Sequence, residues 1–408
     1  MIRGNSCRLL FVGFGDIERS LGARAYLLGL LEAWRCGGGA VHGFFLQQAV
    51  GNGSRRNVCG ALAIFRPILS SVGAAFPTLL WRAYEVAWGL CRGYGLLRAG
   101  RDPATVCLLA GAGLLPLTRV FRGRYARLVY VLHGVAEEFL LGGPVEWLKY
   151  KMTKALERTF LPVCDAVIVV SKRMSEYCQA EYGVNRTLVV PCGVRLAEFP
   201  MNEEDRFKTR RALNISDRFV FVYCGGAAPW QCVRETVECY RLAQTLIPNA
   251  LLLILSPDGA PWAAALGEAD PAAYQIVSVP HTEVSRFLWG ADAAFLLRKR
   301  TSVNLVSAPV KFAEYLACGL PIVTSPFVGD YSAMVQDRAL GVVIDPADQA
   351  TWPAAIRAIR ALAADPETRA RCRRAAEELS WEAIAPRLHV ALDVVGEPAE
   401  ISTPALLR

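Results

Sequence analysis

Short apolar runs that lie between helical stretches constrain the fold of this chain most. Runs such as Arg8–Gly13, Cys164–Ser171 and Leu251–Leu255 are apolar almost throughout, which is typical of strands that are buried on both faces. Helical periodicity follows such runs, so strand and helix alternate twice over, with an interruption near residues 195–205. This pattern predicts an α/β chain of two doubly wound, Rossmann-like domains that face a cleft.

The chain length of 408 residues agrees with two domains of ordinary size. We predict an N-terminal domain over residues 1–197 and a C-terminal domain over residues 198–380. A closing helix is expected over residues 381–395, and a loose tail over residues 396–408, which contains Pro398 and Pro404.

The net charge of +8 is unevenly distributed along the chain. Residues 1–195 carry 24 basic and 12 acidic side chains, whereas the remainder carries 21 basic and 25 acidic ones. The basic N-terminal half indicates an anionic partner or surface, although an ordinary scatter of charge explains it equally well. The basic clusters lack interleaved aromatic residues, so no nucleic-acid partner is expected.

Cysteine usage and hydropathy bear on the compartment. The 13 cysteines include no Cys-x-x-Cys pair, which favours a reducing compartment and argues against a zinc site or a disulfide framework. The longest uncharged runs, such as Pro67–Trp81, are shorter than the ~20 apolar residues that a spanning helix needs. We therefore expect a cytoplasmic protein without a targeting signal, which can lie on the inner membrane surface but does not cross it.

One aromatic and apolar stretch in the N-terminal half is interpreted as part of the core. Residues Ile68–Leu97 are predicted to be helical, with Trp81, Tyr84 and Trp88 on one face. We favour core packing over membrane contact for this stripe.

One stretch of the C-terminal half, Ser307–Ser325, has the clearest local pattern. Ser307 is predicted to cap a helix, and Pro309 suits its first turn, where no N–H is needed. Gly319 is predicted to end this helix in the left-handed conformation. A short buried strand, Leu320–Thr324, follows.

The start of that predicted helix has the features of an anion site. Lys311 and Glu314 are three residues apart, so both project from one side of the helix near its positive end. Arg298-Lys299-Arg300 precedes it, and Arg298 could reach the same ligand bidentately. This arrangement suggests phosphate plus ribose, while a solvated Lys–Glu pair is the common alternative.

Glycines follow the first predicted strand of each domain. Gly225 and Gly226 follow Phe219–Cys224, at a place where a phosphate could meet bare N–H groups, although a tight turn is the simpler explanation. Gly13 and Gly15 are predicted to open a loop after the first strand. A third glycine of the dinucleotide fingerprint is absent, because Glu18 stands there, so NAD binding is disfavoured.

His133 stands just past the predicted strand Leu128–Leu132, and ligands of open α/β sheets bind at such carboxyl ends. A structural histidine is the alternative. Glu137 and Glu138 follow, either as functional carboxylates or as a polar helix start.

Several of these stretches together resemble a known family. The pattern Ser-x-Pro-x-Lys-x-x-Glu-Tyr-x-Ala-x-Gly-x-Pro from Ser307 resembles the nucleotide-sugar site of retaining GT-B glycosyltransferases of the family 4 type. The run Val-Ile-Val-Val-Ser, then a helix predicted over Lys172–Tyr182, then Val-Val-Pro-x-Gly-Val, resembles their domain junction. Ser380-Trp381-Glu382 resembles their C-terminus, where the closing helix crosses back onto the first domain.

The resemblance implies a hexosyltransferase that works with retention and without a metal or other cofactor. A nucleotide-diphosphate sugar, UDP-linked or GDP-linked with UDP the commoner, would be the donor, and a hydroxyl of a glycan or lipid-linked intermediate the acceptor. The implied site residues are Arg298, Lys311 and His133 as catalytic groups, Gly225, Gly226, Ser307 and Glu314 for the donor, and Gly13 and Gly15 as the acceptor-side loop.

Three departures from the family pattern stand out. Members commonly carry a glutamate eight residues before Glu314, where this chain has Val306, and this affects recognition of the donor sugar. Cys192 and Arg195 stand where Asn and Asp are usual. A GT-B epimerase, a non-catalytic GT-B partner subunit and a membrane-surface adaptor remain alternatives, although an adaptor needs a stronger basic amphipathic helix than the one predicted over Val145–Phe160.

Overall fold

The computed structural model describes residues 8–14, 21–36, 40–46, 56–58, 62–65, 102–200 and 203–393. The predicted helix over residues 68–97, the loop residue Gly15 and the tail over residues 396–408 lie outside these ranges. The strands are β1 Arg8–Phe14, β2 Ala40–Leu46, β3 Arg56–Val58, β4 Leu62–Phe65, β5 Asp102–Ala110, β6 Tyr125–Leu132, β7 Ala166–Val169, β8 Thr187–Val189, β9 Phe219–Cys224, β10 Ala250–Leu255, β11 Tyr274–Val277, β12 Ala293–Leu296, β13 Ile322–Thr324 and β14 Gly341–Val343.

The described α-helices alternate with these strands as predicted. They are α1 Leu21–Cys36, α2 Leu117–Phe121, α3 Pro144–Phe160, α4 Lys172–Tyr182, α5 Glu203–Ala212, α6 Val233–Leu246, α7 Ala260–Leu266, α8 His281–Gly290, α9 Ser302–Leu305, α10 Val310–Ala317, α11 Tyr331–Asp337, α12 Trp352–Ala364, α13 Pro366–Glu378 and α14 Trp381–Asp393. None of the helices in the described ranges is both long and apolar enough to span a bilayer.

The chain divides into two compact units. One unit combines Met1–Pro191 with Ile384–Ser402, and the other runs from Cys192 to Ala383. The sequence placed this boundary after residue 197, a few residues later. Helix α14 therefore begins in the second unit and ends in the first.

The first unit contains an eight-stranded sheet in the order β3-β4-β2-β1-β5-β6-β7-β8. All neighbouring pairs are parallel except β3 with β4. Strands such as β7 are buried at every position, because helices cover the sheet and their side chains meet no water on either face. From α14, the His389 ring stacks on Trp34, with 4.4 Å between centroids.

The second unit contains six parallel strands in the order β11-β10-β9-β12-β13-β14. This is the doubly wound order in which the chain starts at the centre, builds outward to one side and then crosses to the other. The reversal falls between β9 and β12, which are hydrogen-bonded neighbours. Ligands of such sheets bind at the carboxyl ends of the strands beside the reversal.

Two local predictions were wrong. Pro309, and not Ser307, is the N-cap residue of α10, and no side chain caps this helix; Ser307 Oγ instead donates to the Asn304 carbonyl oxygen at 2.9 Å. Gly13 does not open a loop, because it is the penultimate residue of β1 and pairs with Phe45 and Ala110. The left-handed Gly319 after α10 is confirmed, with φ of 66°.

Candidate functional site at the sheet reversal of the second unit

The predicted donor residues of the C-terminal half gather at the reversal between β9 and β12. Gly225 follows β9 directly, and Arg298 follows the end of β12 by two residues. Lys311 and Glu314 lie on α10, which the chain reaches soon after β12. The fold thus brings together residues that are far apart in sequence.

Arg298 is a buried arginine with unpartnered side-chain nitrogens. Only 5% of its surface is exposed, and its Nε and Nη1 atoms have no hydrogen-bond partner among the residues that the structure describes. Its backbone is fixed, because its N–H donates to Ser325 Oγ at 2.9 Å and that hydroxyl donates to its carbonyl oxygen at 3.0 Å. Burial lowers the pKa of Arg298. An unpaired buried guanidinium is costly, so an anion that binds it would relieve a large penalty.

Lys311 points toward the glycine turn after β9. Its Nζ donates to Tyr223 Oη at 3.1 Å and to Gln231 Oε1 at 3.0 Å, and it lies 4.3 Å from the centre of the Tyr223 ring. Burial, followed by the nearby Arg298 guanidinium, lowers the pKa of Lys311 to about 7. No carboxylate forms an ion pair with Lys311 among the described residues. Two cations without a salt-bridged partner therefore share this site.

The two glycines differ in what their position demands. Gly225 has φ of 125°, and a Cβ there would stand 2.5 Å from Lys311 Nζ, so a side chain at this position would strain the backbone and would require Lys311 to move. A Cβ on Gly226 would meet nothing within 4 Å. Gly226 is held by its carbonyl oxygen, which accepts a hydrogen bond from Tyr223 Oη at 2.7 Å. The space over Gly226 is open to a ligand.

Glu314 is a buried carboxylate one helical turn after Lys311. It is 6% exposed, and its Oε1 lies 3.0 Å from His281 Nε2 at the start of α8. The hydrogen bond to Glu314 raises the pKa of His281, because a neighbouring carboxylate favours the imidazolium. The His281 side chain remains 44% exposed. The carboxylate is thereby held in one orientation.

Ser307 and Val306 lie at the end of α9. Val306 is the C-cap residue of that helix and is buried. Ser307 is close to Gly329, where a Cβ would stand 2.0 Å from the Ser307 carbonyl oxygen. Its hydroxyl bonds locally to Asn304, so a donor role for Ser307 stays a prediction.

The predicted residues of the N-terminal half belong to the other unit. His133 follows β6, is exposed, and has its ring centroid 6.3 Å from that of Tyr26. Gly13 is buried within β1, and Gly15 is outside the described residues. The proposed roles of these three residues toward acceptor and reacting sugar therefore stay predictions.

The carboxylates after His133 differ in their surroundings. Glu137 Oε1 forms an ion pair with Lys154 Nζ at 2.8 Å and accepts a hydrogen bond from Tyr177 Oη at 2.7 Å. Glu138 is exposed. These contacts favour a structural role for Glu137 over a role as a general acid or base. Within the described ranges, no group of three or more His, Cys, Asp or Glu residues could hold a metal ion.

Two family models match this chain. The family model "Glycosyltransferase Family 4" matches residues 22–198, and the model "Glycosyl transferases group 1" matches residues 205–379. The chain belongs to the GT-B glycosyltransferases of group 1. This group 1 chain is 31% identical over 236 residues to a D-inositol 3-phosphate glycosyltransferase of Geodermatophilus obscurus. That match covers 53% of the chain and 49% of the relative, so it spans about half of the curated protein.

Solved structures show that the group 1 chain has the GT-B fold. Sucrose-phosphate synthase from Thermosynechococcus elongatus superposes with a TM-score of 0.71 at 18% identity, covering 95% of this chain and 98% of that one. WaaG, a glycosyltransferase involved in lipopolysaccharide biosynthesis, superposes with a TM-score of 0.67 at 16% identity, covering 95% and 100%. At these identities the likeness is one of fold.

Sequence reasoning about this group 1 chain missed four residues of the site. Tyr223, Gln231, Ser325 and His281 all contact predicted residues. Tyr223 is the second-last residue of β9 and Ser325 directly follows β13, so their positions at the carboxyl ends of strands are a signal that could have selected these two from the sequence.

Proposed function

We propose that this chain transfers a sugar from a nucleotide-diphosphate sugar to a hydroxyl acceptor, with retention and without a metal ion. The single observation that carries the proposal is that Arg298 is buried beside Lys311 with two donor nitrogens that have no partner in the described part of the chain. A pyrophosphate supplies the negative oxygens that this pair lacks. Retention rests on family membership alone.

The chemistry follows from where charge develops. The bond between the anomeric carbon and the diphosphate oxygen breaks, and the acceptor oxygen forms a new bond to that carbon. Negative charge grows on the leaving diphosphate, which Arg298 and Lys311 stabilise in place of a metal ion. The acceptor proton passes to the leaving phosphate. His133 would line the reacting sugar from the N-terminal unit.

Donor recognition is assigned to the same edge of the sheet. Glu314 accepts hydrogen bonds from the ribose hydroxyls with the oxygen that His281 does not hold. Gly225 and Gly226 let the phosphates approach the backbone, because neither carries a side chain. Ser307 contributes at the margin of this site, and UDP is the proposed nucleotide.

The acceptor is proposed to be a glycan or a lipid-linked intermediate with anionic character. The basic N-terminal half supports this, and so does the phosphate-bearing acceptor named for the relative D-inositol 3-phosphate glycosyltransferase. The protein would act in the cytoplasm, with peripheral contact at the inner membrane surface.

Donor binding tests the proposal most directly. In a thermal-shift screen of UDP-, GDP- and ADP-sugars, one class should raise the melting temperature by mass action. Arg298→Ala should abolish that shift and lower transfer at least about tenfold, or ~1.4 kcal/mol. The matched variant Arg300→Ala, which removes an exposed arginine two residues away, should behave as wild type. A full donor shift in Arg298→Ala would refute the phosphate role.

The alternatives from the sequence receive less support. An epimerase needs a general acid and a general base beside the sugar. Glu137 is a poor candidate for either, because it forms an ion pair with Lys154 and accepts a hydrogen bond from Tyr177. A non-catalytic subunit has no need of a buried arginine beside a half-buried lysine when neither forms a salt bridge within the described ranges. Product analysis with a labelled donor separates the three cases, since only a transferase moves the label to an acceptor.

A further inference from the structure

Two neutral oxygens hold the side chain of Lys311. Its Nζ donates to Tyr223 Oη at 3.1 Å and to Gln231 Oε1 at 3.0 Å, and it forms no salt bridge with a described carboxylate. An ammonium group has three donors, so one donor of Lys311 is available to an anion. The proposed reaction gives neither Tyr223 nor Gln231 a role of its own.

The Gln231 amide can face Lys311 in one orientation. Its oxygen accepts a hydrogen bond from the ammonium group, whereas its NH2 end carries donors alone. The backbone nearby is fixed as well. The Gln231 N–H donates to the Ala228 carbonyl oxygen at 2.8 Å, and the preceding Trp230 carbonyl oxygen accepts from Asn304 Nδ2 at 3.1 Å. Because Asn304 is buried at 1% exposure, the segment that carries the amide is anchored.

Tyr223 connects Lys311 to the glycine turn. Its hydroxyl group contacts the Gly226 carbonyl oxygen at 2.7 Å and also contacts Gln231 Oε1. The hydroxyl proton is directed to these acceptors, so the hydroxyl oxygen remains to accept from Lys311. Tyr223 is 1% exposed. One buried oxygen therefore contacts both Lys311 and the turn that the donor phosphates are proposed to approach.

The other charged and titratable groups near Lys311 do not balance its charge. Burial, and after it the Arg298 guanidinium, lowers the pKa of Lys311 to about 7, although Cys224 and Glu314 act in the opposite direction. Cys224 is a neutral thiol, because burial raises its pKa to about 12. Glu314 lies one helical turn away and contacts His281. A close counter-ion for Lys311 must therefore come from a ligand.

The neutrality of the two acceptors matters for that ligand. A carboxylate at the position of the Gln231 amide would form an ion pair with Lys311, and a phosphate would have to displace it. A neutral oxygen fixes the position of the ammonium group and leaves its charge unbalanced. The amide thus orders the Lys311 side chain before the ligand arrives, which lowers the entropy that binding costs.

We infer that Gln231 and Tyr223 are positioning residues for the donor: they hold Lys311 beside the glycine turn with neutral oxygens and so reserve its charge for the diphosphate. The inference deepens the proposed function, on which it rests for the identity of the anion. It assigns the Gln231 amide to Lys311 and not to the donor itself.

A double-mutant cycle tests whether Gln231 acts through Lys311. Gln231→Leu removes the amide oxygen and should weaken donor binding about tenfold, as expected for the loss of one hydrogen bond to a charged group. In the Lys311→Met background the same change should alter donor affinity by less than about twofold. Equally large effects in both backgrounds would place the amide on the donor and overturn the inference. The matched variant Gln336→Leu, at an exposed glutamine of α11, should bind as wild type.

Gln231→Glu tests the importance of a neutral acceptor. The new carboxylate should pair with Lys311, so donor affinity should fall below that of Gln231→Leu. The proton uptake that accompanies donor binding at pH 7, about half a proton in wild type, should fall toward zero because Lys311 is already protonated. Gln336→Glu adds the same charge on α11 and should change neither quantity. Wild-type affinity and proton uptake in Gln231→Glu would overturn the inference.

The stability of the free protein provides a measurement that needs no donor. The pKa of Lys311 is ~10.4 in the unfolded chain and about 7 in the folded one. Wild type should therefore gain stability relative to Lys311→Met as the pH rises from about 7 to ~10.4. With Gln231→Glu present in both proteins, the same comparison should show a much smaller gain, because the carboxylate raises the folded pKa of Lys311. An unchanged gain would refute the inference.

These measurements distinguish failure of this inference from failure of the proposed reaction. A donor shift in wild type, together with equal effects of Gln231→Leu in both backgrounds, rejects the positioning role alone. Absence of any donor shift in wild type refutes the proposed reaction, while a smaller stability gain would still support Gln231 as the residue that holds Lys311 for an anion. The melting curves also report whether each variant is folded.

Discussion

Lys311 provides the sharpest test of the donor site, because its ionisation should respond to the ligand. Burial and the Arg298 guanidinium lower the pKa of Lys311 to about 7, so the empty site holds its charge only part of the time at neutral pH. A bound pyrophosphate supplies the opposite charge and raises that pKa again. Donor binding should therefore be accompanied by uptake of a proton.

The expected size follows from the pKa. With a value of about 7, Lys311 is roughly 90% protonated at pH 6 and roughly 10% protonated at pH 8. If the donor binds only the protonated form, its affinity should fall about tenfold over this range, or ~1.4 kcal/mol. At pH 7 about half a proton should be taken up for each donor bound.

Calorimetric titration with a nucleotide sugar measures both quantities. A sugar-linked diphosphate is preferable to free UDP, because a terminal phosphate titrates near pH 6 on its own. Titrations in two buffers with different ionisation enthalpies give the proton count. His281 also has a raised pKa, so the series should be repeated with His281→Asn to remove its contribution.

Lys311→Met is the decisive comparison. This variant should bind the donor weakly and with little dependence on pH. An affinity that stays constant between pH 6 and pH 8 in wild type, or the same pH slope in Lys311→Met, would refute the assignment of Lys311 to the phosphates.

Three further predictions concern the same site. Gly225→Ala should lower both stability and donor affinity, because its methyl group would displace Lys311 Nζ. Gly226→Ala should lower donor affinity alone, because a Cβ there meets nothing within 4 Å. Melting curves with and without donor distinguish the two variants. His281→Ala should raise the donor KM several-fold with a smaller effect on kcat, because Glu314 loses the group that orients it, and His281→Asn should restore part of the loss; equal effects on KM and kcat would argue for another role. Lys311→Met should raise the melting temperature of the free protein by a few °C at pH 7. The pKa of Lys311 is ~10.4 in the unfolded chain and about 7 in the folded one. The free-energy cost that this lysine adds to folding therefore falls as the pH rises from about 7 to ~10.4, and Lys311→Met removes that cost. A lower melting temperature for the variant would contradict this reasoning.

The types of the secondary-structure elements were predictable because the hydrophobic pattern of each segment agrees with the capping and turn residues at its ends. The Phe219–Cys224 strand was predicted with its observed bounds, since six residues with little polarity end at two glycines. Lys172–Tyr182 was likewise predicted correctly, because Ser171 caps its start and Gly183 ends it. Such signals are local, and the sequence displays them directly.

Errors arose where a local signal had a competing partner. Ser307 has the chemistry of an N-cap, but its hydroxyl bonds to the Asn304 carbonyl oxygen at the end of α9. Gly13 looked like the start of a loop, yet pairing with two neighbouring strands extends β1 past it. A competing contact decided the outcome in both cases: a local one with Asn304 for Ser307, and pairing with two distant strands for Gly13.

The orientation of α3 could not be predicted from the sequence, for a related reason. From sequence, residues Val145–Phe160 show a weakly amphipathic, basic helix, and periodicity does not say which side faces the sheet. The structure buries Lys154 and Glu157 and leaves Trp147 outside. Glu137 and Tyr182, which belong to other elements, contact Lys154 and Glu157 and so allow these two charged residues to be buried.

The amino-acid sequence was enough to predict the two α/β units, the order of their elements, the glycines after β9 and a lysine near the start of α10. Those properties depend on hydrophobic pattern, chain punctuation and residue type, which are readable along the chain. The packed structure was needed to show that Arg298 has two nitrogens without a partner among the described residues, that desolvation lowers the pKa of Lys311, and that His281 contacts Glu314. Burial and proximity are properties of the packed sheet edge, because they depend on residues that the chain brings there from distant positions.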